Sequence, residues 1–384
     1  MSKQLWVGPY DLLTSNGAVA IYLGALKDNG ATGVRFFGCY QWAFYNPMMP
    51  FKEIRKWKPK DVPGMPFYDL SKWNPEYWDH LDWFLGMLKL CDLEAHVALH
   101  DFCSIKQSGN DKYYHPFFSC IQKENPDDPS APHKVTGGFF GWDKDGRGTL
   151  QPWHTKYFAK MVAALNVSGV SYYLEVMNEM GRGNRMTNEE GVRWHKWAVQ
   201  QLFSLGVPKS RIIGSYTGAF GEDYGMELSK QVGIWSVHGH ARPQAVFPNY
   251  PIVQSPAIII STDGGRDGDG PCDPVKHWCG PSAAQMKGIA EKVEQYGYMG
   301  IEYKPRDAAV GLHKWTNVDK VDMKIVRAAG EVFGTIPPPL EPPEPPEPPP
   351  PPPPPPEPPV EHSCWYWLGK LDFIRFIKCI FGRL

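Results

Sequence analysis

The sequence predicts an α/β fold, a (β/α)8 TIM barrel spanning residues 1–336 with long loops at its C-terminal face. Three features carry that expectation. Eight short apolar runs alternate with amphipathic helical stretches, an order that builds parallel strands joined by right-handed crossovers. Two unusually long segments follow the second and third runs. The alternation then stops at a proline tract.

The strands are expected at 5–7, 33–37, 95–99, 172–177, 211–214, 234–237, 257–261 and 298–301. Several are rich in Val, Ile or Tyr, as buried parallel strands are. Helical spacing of apolar residues marks 18–29, 77–91, 153–166, 188–205, 283–296 and 318–332. Residues 40–76 read as a loop carrying Tyr40, Trp42, Phe44, Tyr45, Trp57 and Trp73, and residues 102–150 as a loop rich in Pro, Gly and Asp. Loops of that length in a compact domain are usually functional. Both leave strand ends at the barrel face where sites are assembled.

Residues 337–360 form a linker in which 18 prolines are punctuated by Glu341, Glu344, Glu347 and Glu357. At ~3.1 Å per residue a polyproline II helix of this length spans roughly 70 Å. Residues 361–384 form a separate tail. On a helical wheel Phe373, Ile374, Phe376, Ile377, Ile380 and Phe381 share a broad face, with Asp372, Arg375 and Lys378 opposite. Such a basic amphipathic helix suits a membrane surface or a groove on a partner protein, and a tail folded back on the barrel is the plainer alternative.

Composition narrows the function. Lys plus Arg number 40 against 41 Asp plus Glu, so no basic excess points to nucleic acid. Aromatic residues reach 14%, including 15 Trp, more than a core requires. Flat apolar faces with polar tips are useful in sugar-binding clefts. The N-terminus shows no continuous apolar run, so no secretory signal is expected, and no stretch is apolar enough to span a membrane. Synthesis in the cytoplasm, with release or surface attachment through the tail, is the corresponding expectation. The eight cysteines read mostly as buried thiols, while Cys272 and Cys279 stand equally as free thiols or as a pair across a short loop. Asp143-Lys-Asp145-Gly146 and Asp267-Gly-Asp269-Gly270 begin like calcium loops, but His154 and Trp278 occupy the twelfth positions that require Glu. No metal or cofactor is therefore expected.

The chemistry centres on Tyr172-Tyr-Leu-Glu-Val-Met-Asn178-Glu179. A carboxylate at the end of a barrel strand is placed to act as acid or base, and an adjacent Asn can hold a sugar hydroxyl in the transition state. A helix N-cap pair is the structural alternative.

On these residues the chain resembles the glycoside hydrolases of clan A, and most closely family 5, the cellulases, mannanases and relatives. The family's Arg on the second strand corresponds to Arg35 in Gly33-Val-Arg-Phe-Phe, and its His ending the third strand to His100. Asn178-Glu179 match the Asn and acid/base Glu that end the fourth strand. After the sixth strand Trp235-Ser-Val-His238-Gly-His240 keeps the His but places His240 where Tyr is usual. At the end of the seventh strand Ile258-Ile-Ile-Ser-Thr-Asp263-Gly-Gly has Asp in place of the nucleophile Glu. On the eighth, Gly300-Ile-Glu302-Tyr303 offers Tyr303 or Glu302 where an aromatic floor is usual.

The resemblance implies hydrolysis of a β-1,4-linked polysaccharide, as an endo-glucanase or endo-mannanase. It assigns Glu179 as acid/base and Asp263 as nucleophile, with Glu302 as the alternative second carboxylate. Arg35, His100, Asn178, His238, His240, Trp42 and Tyr303 would bind substrate. Retention needs the two carboxyl groups ~5–5.5 Å apart and inversion ~6.5–9.5 Å. Asp is one methylene shorter than Glu, so Asp263 falls between these regimes on an unchanged backbone. The altered nucleophile also admits a barrel that binds polysaccharide without cutting it.

Overall fold

The computed structural model describes residues 3–8, 17–39, 49–57, 65–101, 116–117, 150–178, 188–216, 231–238, 252–255, 272–273, 278–279, 282–303 and 320–336. The chain divides into two units, Met1–Pro337 and Pro338–Leu384. The linker and the tail lie outside the described residues.

The chain opens with β1 (Gln4–Val7), α1 (Gly17–Asp28) and β2 (Gly33–Phe37). An antiparallel hairpin, β3 (Phe51–Trp57) with β4 (Met65–Trp73), precedes α2 (Pro75–Leu90) and β5 (Glu94–Ala98). Next come α3 (Gln151–Ser168), β6 (Tyr172–Glu175), α4 (Asn188–Ser204) and β7 (Ile212–Tyr216). They are followed by β8 (Ile234–His238), β9 (Ile252–Ser255) and a short antiparallel pair, β10 (Cys272–Asp273) with β11 (Trp278–Cys279). The folded unit ends with α5 (Ala283–Gln295), β12 (Gly300–Tyr303) and α6 (Lys320–Phe333).

Eight strands close into one parallel barrel in the order β1, β2, β5, β6, β7, β8, β9, β12, with β12 returning to β1. At that seam a Cβ on Gly300 would overlap the Gln4 carbonyl, so only glycine lets the last strand approach the first.

Alternation along each strand separates two interiors. In β2, Val34 and Phe36 join the core between sheet and helices, while Arg35 turns into the barrel and stays fully buried. Helix α2 shows how the outer layer is built. Pro75 starts it, Glu76 favours its positive end, and Tyr77, Trp78, Leu81, Phe84, Leu85 and Leu88 repeat with helical spacing on the buried face. Helix α3 stops at Gly169, whose φ of 65° is the left-handed conformation glycine supplies cheaply. Helix α5 starts in a reciprocal Ser282–Gln285 capping box.

Three expectations are corrected. The 40–76 segment holds the β3–β4 hairpin rather than a plain loop, and its Phe51, Tyr68 and Leu70 enter the core. The seventh barrel strand is Ile252–Ser255, upstream of the more hydrophobic run at 257–261 that the composition favoured. Pairing explains the choice: these residues run in register with β8 on one side and β12 on the other. The eighth strand extends to Tyr303, bringing Glu302 into the barrel wall.

Helix α4 buries a histidine that gives the fold an acid-sensitive element. Burial pushes the His195 imidazole down to about 4, against the opposing hydrogen bond from Nδ1–H to Gln231 at 3.3 Å. The unfolded chain takes up a proton near 6.5 and the folded one near 4, so stability present above pH 6.5 is lost as pH falls toward 4. The contribution is roughly 3 kcal/mol at ~1.4 kcal/mol per pH unit. Unfolding midpoints measured between pH 7 and 4 should fall, and fall less in His195→Gln. Parallel pH dependence of the two proteins would assign the acid sensitivity elsewhere.

Candidate active site

Residues facing the barrel axis form layers. Toward the N-terminal end, Trp6, Tyr173, Ile213 and Ile234 pack with Met299 into an apolar plug. Two residues further along β6 and β8 stand Glu175 and Ser236, and with them the interior becomes charged.

Arg35 is the hub of the charged layer. Its Nε and Nη2 both donate to Glu175 Oε2, at 3.0 and 2.6 Å, and Nη2 also donates to Asn178 Oδ1 at 2.8 Å. Nη1 lies 3.0 Å from Glu302 Oε1, an ion pair off the hydrogen-bond axis. The Arg35 and Glu175 side chains are 0% exposed and that of Glu302 2%. The Phe37 ring lies 4.8 Å from the guanidinium carbon, a cation–π contact. Ser236 Oγ donates to Glu302 Oε2 at a long 3.5 Å.

His96 completes the layer from below. Its Nε2 lies 2.9 Å from Glu175 Oε2, and its ring sits 4.6 Å from Trp6 in the plug. Burial lowers the His96 pKa against the raising pull of Glu175. The Glu175 oxygen, paired with Arg35, can only accept, so His96 presents Nε2–H to it.

Above this layer the strands end. Asp101 and Asn178 form an isolated parallel bridge, and Asn178 Nδ2 donates to Asp101 Oδ1 at 2.7 Å. Partners on both sides fix the Asn178 amide: Oδ1 faces Arg35 and Nδ2 faces Asp101. One amide hydrogen is left over for a further acceptor.

The structure brings together three of the expected site residues: Arg35, Asn178 and Glu302. Two others are elsewhere. His100 is fully buried with its ring against Tyr157, Phe158 and His154 of α3 and Trp194 of α4, its Nε2 3.1 Å from His154 Nδ1. The strand ends at Ala98 and the chain bends at Leu99, turning His100 to the helix layer instead of the mouth. Tyr303 lies in the same outer core, because its neighbour Glu302 takes the inward position. Trp235 is also in that core, its ring packed over Gly214. His238 ends β8 opposite Ser255 of β9. Glu179, the residue after Asn178, and Asp263, His240 and Trp42 lie outside the described residues. The described part of the seventh barrel strand is Ile252–Ser255.

Sequence reasoning missed Glu175, His96, Asp101 and Ser236. The available signal was a charged or imidazole side chain inside strands that are otherwise apolar: such a group in a parallel barrel has only the axis to face. Among the described residues no group of His, Cys, Asp and Glu could hold a metal ion, and no helix is long and apolar enough to cross a membrane.

A closed parallel barrel carrying convergent charges at its strand ends defines the structural class. No family model matches the chain, and no curated protein does. Solved structures do. A glycoside hydrolase family 5 enzyme from Prevotella bryantii B14 is 12% identical, with 86% of this chain and 96% of that chain covered at a TM-score of 0.50. The endo-β-1,4-mannanase from Thermotoga petrophila is 11% identical, with 86% and 77% covered at a TM-score of 0.50. GH5_18 from Streptomyces cattleya, solved in complex with GlcNAc, is 11% identical, with 87% and 80% covered at a TM-score of 0.50. The chain thus has a fold like that of the clan A, family 5 glycoside hydrolases.

Proposed function

We propose that this protein is a glycoside hydrolase acting on a β-1,4-linked polysaccharide, glucan or mannan, from within the chain. The observation that carries the reading is the Arg35–Asn178 contact at the end of β6, immediately before Glu179. Glu179 serves as acid/base. Asn178, oriented by Arg35 and Asp101, offers its remaining amide hydrogen to a sugar hydroxyl beside the reacting carbon. His238, His240 and Trp42 contribute substrate contacts.

For the second carboxylate the favoured residue is Asp263. The specific observation favouring Glu302 is its ion pair with Arg35, the same guanidinium that holds Asn178. Against it stands burial, since a nucleophile must reach the anomeric carbon and Glu302 is 1% exposed. The linker and tail would attach the barrel to a membrane surface or a partner protein.

Purified full-length protein should release reducing ends from soluble cellulose or mannan derivatives. A protein that binds such a polymer yet releases none is a carbohydrate-binding barrel, and one that neither binds nor cuts any β-glycan removes the reading.

A further inference from the structure

We propose that Glu175 is a positioning residue that aims Arg35 at the strand ends without itself touching substrate; its catalytic consequence rests on the glycosidase reading. Glu175 Oε2 takes both Nε and Nη2 of Arg35. A guanidinium is planar, so holding one edge fixes the direction of the other. What remains of the fork is directed at Asn178 and Glu302.

Glu175 is itself held. His96 Nε2–H donates to the same oxygen, and the His96 ring rests beside Trp6 of the apolar plug. A continuous buried series therefore runs from the floor of the barrel through His96, Glu175 and Arg35 to Asn178, one residue short of Glu179. Each member is at most 6% exposed, so water cannot replace a lost partner cheaply. The charge balance points the same way. Among the described residues, one guanidinium faces two carboxyl groups inside the barrel, an arrangement costly for stability alone, since well-packed apolar residues of similar volume often do as well.

The test compares Glu175→Gln and Glu175→Asp with wild type. On soluble β-1,4-glycan, Glu175→Gln should lower kcat ~10–100-fold, as small misplacements of site groups do, with KM changed by less than ~3-fold. Removing a buried negative charge should also move the pH profile of kcat/KM toward acid, because Arg35 then acts more fully on neighbouring acids. Glu175→Asp keeps the charge and should keep the profile while losing part of kcat. A loss of stability with an unmoved profile and unchanged kcat would make Glu175 merely structural and overturn the proposal.

A readout independent of catalysis separates this from the hydrolase reading. In 15N-labelled full-length protein, the Arg35 Nε–H resonance, assigned by its absence in Arg35→Lys, should be protected from solvent exchange and should lose protection in Glu175→Gln. Equal protection in both proteins overturns the positioning role, whether or not wild type cuts a glycan.

Discussion

Glu179→Gln is expected to lose about 10²–10⁴-fold in kcat on any polysaccharide the wild type cleaves, the contribution typical of a positioned general acid. An amide of the same shape cannot protonate the leaving oxygen, so substrates whose leaving groups need no proton, such as aryl glycosides, should lose far less. That contrast separates an acid/base from a residue needed for binding. The partner carboxylate follows from two further variants. Asp263→Asn should fall to background if Asp263 attacks the anomeric carbon or activates water, with Glu302→Gln retaining turnover. The reverse pattern would transfer the role to Glu302, which Arg35 already holds at 3.0 Å. Azide added to the corresponding alanine variants gives the stereochemical answer. Azide enters the space vacated by a nucleophile and yields a glycosyl azide of inverted configuration, which a retaining enzyme permits. Activity surviving in all three variants would place the chemistry on other residues.

Arg35→Met is expected to cost the folded barrel about 3–5 kcal/mol, because it strands buried acidic groups without a counter-charge. Glu175 loses an oxygen's two arginine hydrogen bonds and Glu302 its ion pair. Denaturant unfolding would measure the loss directly. Neutralising both acids in the same background, Glu175→Gln with Glu302→Gln, should recover much of it, since the penalty belongs to the unpaired charges rather than to the missing volume. Arg35→Lys should fall between: it keeps a charge but has no planar fork to serve Glu175 and Asn178 at once. Failure of the double neutralisation to restore stability would assign the cost to packing, including the Phe37 face on which the guanidinium rests.

Much of the architecture was legible because it follows from periodicity. Six helices begin or end within a few residues of their expected positions, and seven strands overlap theirs. The seventh did not, because hydrophobicity ranked 257–261 above a four-residue strand whose membership depends on pairing with β8 and β12. Of the residues that meet at Arg35, the sequence pointed to Asn178 and not to Glu175, for a reason of geometry. Glu175 and Asn178 are three residues apart, so regular alternation sends them to opposite faces of the sheet. The strand ends at Glu175, and a bend at Val176 and Met177 returns Asn178 to the same guanidinium. The same effect sets the place of His100, which packs against α3 and α4. Four residues beyond His96 it should share the inward face, but the chain leaves the strand after Ala98. Where strands stop is written in pairing across the barrel, which local sequence records only faintly.

The seam between β1 and β12 bears on how the protein is made. Gln4 pairs with Gly300, so β1 must await a partner strand synthesised about 300 residues later. At ~5–20 residues per second that wait is roughly 15–60 s. Throughout it, β1 offers an unpaired edge, and edges of that kind invite association with other chains. Lys3, whose Nζ reaches the Tyr298 carbonyl at 2.6 Å in the finished barrel, meanwhile sets a charge beside that edge. The same lysine that fastens the finished ring carries the kind of charge that discourages pairing at an open strand edge.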